Sequence, residues 1–317
     1  MQPFSLNDLL RLALIIVSLM ALTACSGFKH GAFDLAMGCE RRSAGLELST
    51  LFVNEFEISV LEGQGKGERP TLVLIHGFGA SKEVWLRLSR HLKDDFHIIA
   101  IDLPGHGDSS KHIDRDYDVS SQVLYLRAIL SELAVEAPHL AGNSLGGTIV
   151  TLYAARYPEK IASITLFNPG GVHTHESELT GYLARGENPL IVRNREDFDR
   201  LIRFSMEKRP FLIWPVSSVL AERAIANQAI NEKMFSDIRR DAPGELGAAL
   251  PHVWAPALII WGRHDRLINV ENGRVFEALM PDARLVILED VGHAPMIETP
   301  QASAKLMRDF VLSVRNP

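Results

Sequence analysis

Between Pro138 and Pro158 the chain reads HLAGN, one serine, then LGGTIVTLYAARY. A short apolar strand passes into a helix with a single residue, Ser144, at the junction, and glycines stand two positions before it (Gly142) and two after it (Gly146). So sharp a reversal strains the serine and presses its neighbours at ±2 together, which only the smallest side chains allow. Gly147 lets the helix approach the sheet. The turn lifts the serine Oγ clear of the sheet and leaves the amide of Leu145 free at the helix start, where it can meet developing negative charge. Glycine–serine turns are common, and the pentapeptide alone would be an ordinary turn. Set between strand and helix, G-x-S-x-G marks a nucleophile.

The flanking sequence predicts a sheet for that turn. TLVLIHG (71–77), HIIAID (97–102), PHLAGN, IASITLFN (161–168), PALIIWG (256–262) and ARLVILED (283–290) are near-continuous apolar runs, the pattern of strands covered on both faces. Helical patterns fall between them: SKEVWLRLSRHL (81–92), SSQVLYLRAILSELA (120–134), LGGTIVTLYAARYP, VFEALM, and SAKLMRDFVLSV near the end. Such alternation implies an α/β fold with a mostly parallel, doubly wound sheet. Upstream, LSTLFVNEFEISVLEGQGKG (48–67) reads as a strand or hairpin ending in a glycine-rich turn. From about Gly171 to Val253 the alternation stops, and EDFDRLIRFSMEK and SSVLAERAIANQAINEKMFSDIRR are helical. The expected organisation is therefore a core of residues 48–170 and 254–317 interrupted by a helical cap, 171–253, over the strand ends.

A serine hydroxyl needs a base, and the base needs an orienting acid. Asp265, in WGRHDRL, follows one buried strand, and His293, in DVGHAPM, follows the next. Both thus lie at the carboxyl ends of strands, on the edge that carries Ser144 and where open α/β sheets bind ligands. An aspartate there alone would cap a turn, and a histidine alone would be structural; their joint placement, in the order Ser, Asp, His, points to a triad. The loop HGFG after the first parallel strand, with glycines beside Phe78, offers the Phe78 amide as a second oxyanion donor beside that of Leu145. His76 reads as a brace for that loop, Asp102 and His106 in DLPGHGDS as turn chemistry, and His173 and His175 as residues opening the cap. Apolar cap residues Met206, Phe211 and Trp214 are candidates for lining an acyl-chain groove, against the plainer reading that they pack on the body.

Together HGFG, DLPGHGDSS, GNSLGG, WGRHD and EDVGHAPMIE resemble the α/β-hydrolase superfamily and, more narrowly, bacterial family V lipases and esterases, which include membrane-anchored phospholipase A-type members. The cap stretch ENPLIVRNREDFDRL (187–201) is similar to that group as well, and the likeness runs from about residue 70 to the C-terminus. It implies an α/β-hydrolase fold, Ser144 as nucleophile, Asp265 as acid, His293 as base, and hydrolysis of carboxylic esters with acyl chains. Residues 168–171, NPGG, depart from the aspartate-containing turn that the resemblance leads one to expect. No metal or organic cofactor is required by this chemistry.

Residues 12–24, LALIIVSLMALTA, are short for a bilayer span and suit a secretion-signal core. The run ends in LTAC, Leu22 to Cys25, which resembles the lipobox of bacterial lipoproteins. That resemblance implies a signal peptide over 1–24, acylation of Cys25, and a tether over 25–47; Ser26 after the cysteine favours the outer membrane of the bacterial envelope. An uncleaved anchor or an ordinary signal with a chance cysteine is the alternative. Cys39 is the second of two cysteines, so no disulfide framework is expected if Cys25 is acylated. A net charge of −6 without runs of one sign gives no reason to expect a nucleic-acid partner. The expected partners are a lipid or acyl-ester substrate and the membrane. Competing functions are other chemistry on the same fold (carbon–carbon hydrolase, perhydrolase, acyltransferase) or a non-catalytic lipid-binding surface lipoprotein.

Overall fold

The computed structural model describes residues 27–210, 214–240 and 245–314. Eight strands, β1 (Leu46–Val53), β2 (Phe56–Gly63), β3 (Thr71–Ile75), β4 (His97–Ile101), β5 (His139–Asn143), β6 (Ser163–Phe167), β7 (Ala257–Gly262) and β8 (Ala283–Leu288), form one sheet in the order β1-β2-β4-β3-β5-β6-β7-β8. The six strands β3 to β8 run parallel. The N-terminal hairpin adds two antiparallel strands at one edge. Its register pairs Val53 with Phe56 across a two-residue turn, where Asn54 takes φ 52.

The parallel strands read as continuous apolar runs because each is covered twice. Val73 and Ile75, Ile99 and Ile101, and Ile259 and Trp261 enter one core cluster. Leu72 and Leu74, Ile98 and Ala100, and Leu258 and Ile260 enter the other. This is the two-residue alternation of a strand with both faces apolar. On the first face lie α3 (Val119–Glu132), α4 (Leu145–Arg156) and α10 (Asn272–Leu279). On the second lie α2 (Leu86–Ser89), α11 (Pro295–Glu298) and α12 (Pro300–Ser313). The helix expected over 81–92 is shorter, a 3-10 turn Lys82–Trp85 running into α2. At its start Lys82 turns inward, its ammonium 2.7 Å from Asp102 Oδ2 and 3.0 Å from Asp108 Oδ2. That buried pairing fixes the loop after β4, as the turn reading of Asp102 anticipates.

Residues 27–44, expected as a tether, form a helix, α1. Phe33, Met37 and Ala44 turn inward, with Arg223 stacked over the Phe33 ring. No helix among the described residues is long and apolar enough to cross a membrane. Between β6 and β7 come α5 (Glu178–Ala184), α6 (Arg195–Ser205), α7 (Val216–Ala226), α8 (Gln228–Ile238) and α9 (Glu245–Ala249). Ile230 and Met234 of α8 pack on Tyr117 and Phe78, and Asp237 accepts the Tyr117 amide at 3.0 Å. The inserted helices therefore rest on loops that leave the carboxyl ends of β3 and β4.

β3 pairs with β4 on one side and β5 on the other, so the chain reverses its winding there. The crevice at the carboxyl ends of these strands is where such a sheet accepts a ligand.

At the opposite end of β5, His139 is buried, its Nδ1 2.7 Å from Ser163 Oγ, and burial pulls its pKa down to about 4. The folded state keeps this ring neutral while the unfolded chain protonates it near the ordinary histidine value. Its contribution is thus intact above about pH 6.5 and is lost as pH falls towards 4. We expect unfolding free energy to rise with pH across that window, and His139→Gln to flatten the slope by up to about 1.4 kcal/mol per pH unit. Urea unfolding at half-unit pH steps measures it; identical slopes for both proteins would contradict the assignment.

Candidate active site

Ser144 sits between β5 and α4 with φ 55 and ψ −117, a backbone conformation that costs a non-glycine residue about 1–3 kcal/mol. Packing around it enforces the strain. A Cβ on Gly142 would stand 2.3 Å from the carbonyl oxygen of Gly146, and one on Gly146 would stand 2.3 Å from that of Ile75. One on Gly147 would meet Pro169 at 2.8 Å. The serine's own backbone is fully engaged. Its N–H donates to Phe167 O at 3.0 Å, and its carbonyl accepts from Thr148 and Gly170, each at 3.1 Å. The turn is locked to β3 and β6 at once.

The loop after β3 lies against it. A Cβ on Gly77 would be 3.1 Å from Ser144 Cβ, so nothing larger than glycine leaves the present spacing intact. His76 is buried and spans the loop: its Nε2 accepts from the Leu103 amide at 3.1 Å, which leaves Nδ1 to donate to Gly77 O at 2.8 Å. Burial lowers its pKa, and this neutral tautomer makes both bonds. The histidine braces the loop. The Phe78 ring packs edge-on against Phe235 of α8, while the amides of Phe78 and Leu145 have no acceptor among the described residues. Two unengaged donors thus flank the serine, the arrangement an oxyanion hole requires.

Asp265 follows β7 and its side chain is fully buried. Its Oδ1 accepts from the amides of Leu267 (2.8 Å) and Ile268 (3.1 Å). Its Oδ2 accepts from Asn168 Nδ2 at 2.6 Å and lies 2.8 Å from His293 Nδ1. An acceptor at Nδ1 puts the ring proton there and turns Nε2 outward as the basic nitrogen. His293 is held on its backbone too: its N–H donates to Ser205 O at 2.8 Å, and its carbonyl accepts from Asn143 Nδ2 at 3.1 Å. Asn143 immediately precedes Ser144, so its amide joins the loop that carries His293 to the serine turn. No hydrogen bond between Ser144 Oγ and His293 Nε2 is present among the described residues; such contacts commonly tighten only when substrate is bound. Glu298 reinforces the loop by accepting from the amides of Gly292, Ala294, Glu207 and Lys208.

Asn143 and Asn168 are the residues sequence reasoning misses. The only cue was an asparagine at each end of the strand-ends concerned, in G-N-S and in N-P-G-G. Of the groove candidates, Met206 is buried in the second core cluster, and Trp214 stands exposed and stacked on Phe28. Both hold packing or surface positions. Phe211 and Cys25 lie outside the described residues.

Residues 70–300 match the family described as alpha/beta hydrolase fold. Over 86% of its length the chain is 32% identical to Lipase 1 of Psychrobacter immobilis and 31% identical to Lipase 3 of Moraxella sp. (strain TA144), in each case covering 86% of the relative. Among solved structures, a bacterial membrane phospholipase A superposes with a TM-score of 0.90 at 41% identity, over 97% of this chain and 99% of that one.

The strain at Ser144 has a measurable consequence. Ser144→Ala keeps the unfavourable φ, whereas Ser144→Gly relieves it at a smaller entropic cost. We expect the glycine variant to be the more stable of the two by about 1 kcal/mol in urea unfolding. An alanine variant equal to or more stable than the glycine variant would contradict a strained serine.

Proposed function

The chain belongs to the α/β-hydrolase family, and on that premise we propose that Ser144, His293 and Asp265 are nucleophile, base and orienting acid of its ester hydrolysis. It is a hydrolase of lipid-like carboxylic esters, in keeping with lipases at 32% and 31% identity and a membrane phospholipase A at 41%. The observation that carries the residue assignment is the 2.8 Å contact of His293 Nδ1 with a buried carboxylate, on a loop hydrogen-bonded to the residue preceding a strained serine.

In this reading His293 Nε2 takes the proton from Ser144 Oγ as that oxygen attacks the ester carbonyl. The Phe78 and Leu145 amides donate to the oxyanion that forms. The bond from carbonyl carbon to alkoxy oxygen breaks, and the alcohol departs with the proton from His293. Water then gives a proton to the same nitrogen and attacks the acyl carbon. The fatty acid leaves as Ser144 regains its hydrogen. Asp265 keeps the imidazole in the right tautomer and favours the imidazolium that forms twice in each cycle. The helices of 171–253 act as a cap, and the Phe78–Phe235 contact ties its position to the oxyanion loop.

We also assign to Cys25 a lipid anchor on the bacterial envelope, at the outer membrane, which would hold the enzyme where its apolar esters partition. One acyl chain anchors only marginally, and several on one residue hold a protein stably.

Turnover of p-nitrophenyl esters from C2 to C16, a triacylglycerol, a monoacylglycerol and a lysophospholipid tests the chemistry and resolves lipase from phospholipase preference. Ser144→Ala should lose at least roughly 10³-fold in kcat; turnover that survives the substitution would refute the assignment. For the anchor, cells fed radiolabelled palmitate should label the full-length chain but not Cys25→Ala, and equal labelling of both, or of neither, would exclude it.

A further inference from the structure

We infer that Asn168 is a positioning residue that sets the geometry and charge balance of the Asp265–His293 pair, and that an amide rather than a carboxyl is required there. The inference rests on the triad reading given above.

Asn168 is fully buried at the end of β6, and its backbone takes φ 46, a conformation asparagine tolerates better than most residues. Its N–H still donates to Ile260 O at 3.0 Å, so the residue remains stitched to β7 while its side chain turns across the strand ends. There Nδ2 donates to Asp265 Oδ2 at 2.6 Å and reaches Gly292 O at 3.4 Å, and Oδ1 accepts from the Gly262 amide at 3.4 Å. The orientation is forced, since a flipped amide would set its oxygen against a carboxylate and a carbonyl and its NH₂ against an N–H. One side chain thus touches the end of β7, the acid after it, and the residue preceding His293.

The shared oxygen gives these contacts functional weight. Asp265 Oδ2 receives both the Asn168 amide and the imidazole, so the amide fixes the direction from which His293 must approach and takes up acceptor capacity that would otherwise be open. Charged neighbours do not compete for this position: Arg263 turns to Glu289, and Arg266 to Glu207. Among the described residues the titratable groups bearing on the Asn168 amide are Asp265 directly, His293 through it, and Glu298 through Gly292, whose N–H it accepts.

A carboxyl of the same shape would behave differently. Two carboxyls at this separation share a proton at lower pH and repel once it is lost. While shared, that proton restores an O–H···O bond in place of the amide. When it leaves, two like charges face each other and the acid withdraws from His293.

The test is kcat/KM on p-nitrophenyl butyrate between pH 5.5 and 9.5 for the wild type, Asn168→Asp, Asn168→Ala and Ser144→Ala, with thermal unfolding of each as a control for folding. Asn168→Asp should fall roughly a hundredfold below wild type at pH 9 and recover at least about tenfold of that deficit towards pH 6. Asn168→Ala, which has no proton to regain, should show a deficit that does not narrow with acidification. An Asp variant whose deficit is constant with pH, or both Asn168 variants within threefold of wild type throughout, would overturn the inference while leaving the Ser144-dependent reaction intact. Wild-type turnover that persists in Ser144→Ala would instead remove the triad reading and this inference with it.

Discussion

Everything at the carboxyl edge of the sheet depends on one backbone contact, the packing of the β5–α4 turn against β3. Gly142 and Gly146 touch backbone to backbone, and Gly146 lies on the carbonyl of Ile75. This closeness holds Ser144 in a conformation that its own side chain disfavours. It also brings the β3 loop, with Gly77 and the amide of Phe78, alongside the serine without any dedicated linker. The strained serine and the two unengaged amides beside it are thus two consequences of a single close approach.

The remaining pieces arrive from the other strand ends, and two amides join them. Asn143 ties the serine turn to the His293 carbonyl, and Asn168 ties the end of β6 to Asp265. Side-chain amides suit this task because each presents donors and an acceptor without charge, so they can connect a carboxylate, a carbonyl and an N–H at once. In the proposed mechanism the charges remain on Asp265 and, transiently, His293. Above this edge the inserted helices bear on Phe78 and Tyr117, so they share a packing surface with the loop after β3.

Much of this was legible in the sequence because it rests on local rules. Buried strands announce themselves as apolar runs, and the serine turn announces itself through glycines that only a steric argument explains. Asp265 and His293 could be found from their places after β7 and β8. What was not legible depends on contacts between distant segments. Nothing local in NPGG says that Asn168 turns its amide onto a residue 97 positions later. Nor does SKEVW show that Lys82 is buried against Asp102, 20 residues on. The helix over 27–44 is stabilised by docking on the body, through Phe33 against Arg223 and Ala44 in the core, so a reading for tethers sees only a spacer. Met206 and Trp214 look alike in sequence as apolar cap residues, yet one fills the core and the other faces outward.

The central claim is that the strained serine between β5 and α4 is the reacting group. Incubating the folded protein with a fluorophosphonate probe and mapping the adduct by peptide mass spectrometry addresses it without assuming a substrate. The account predicts one adduct, on Ser144, that disappears in His293→Ala as the base is lost. An unlabelled protein, or a label on any other residue, would contradict it.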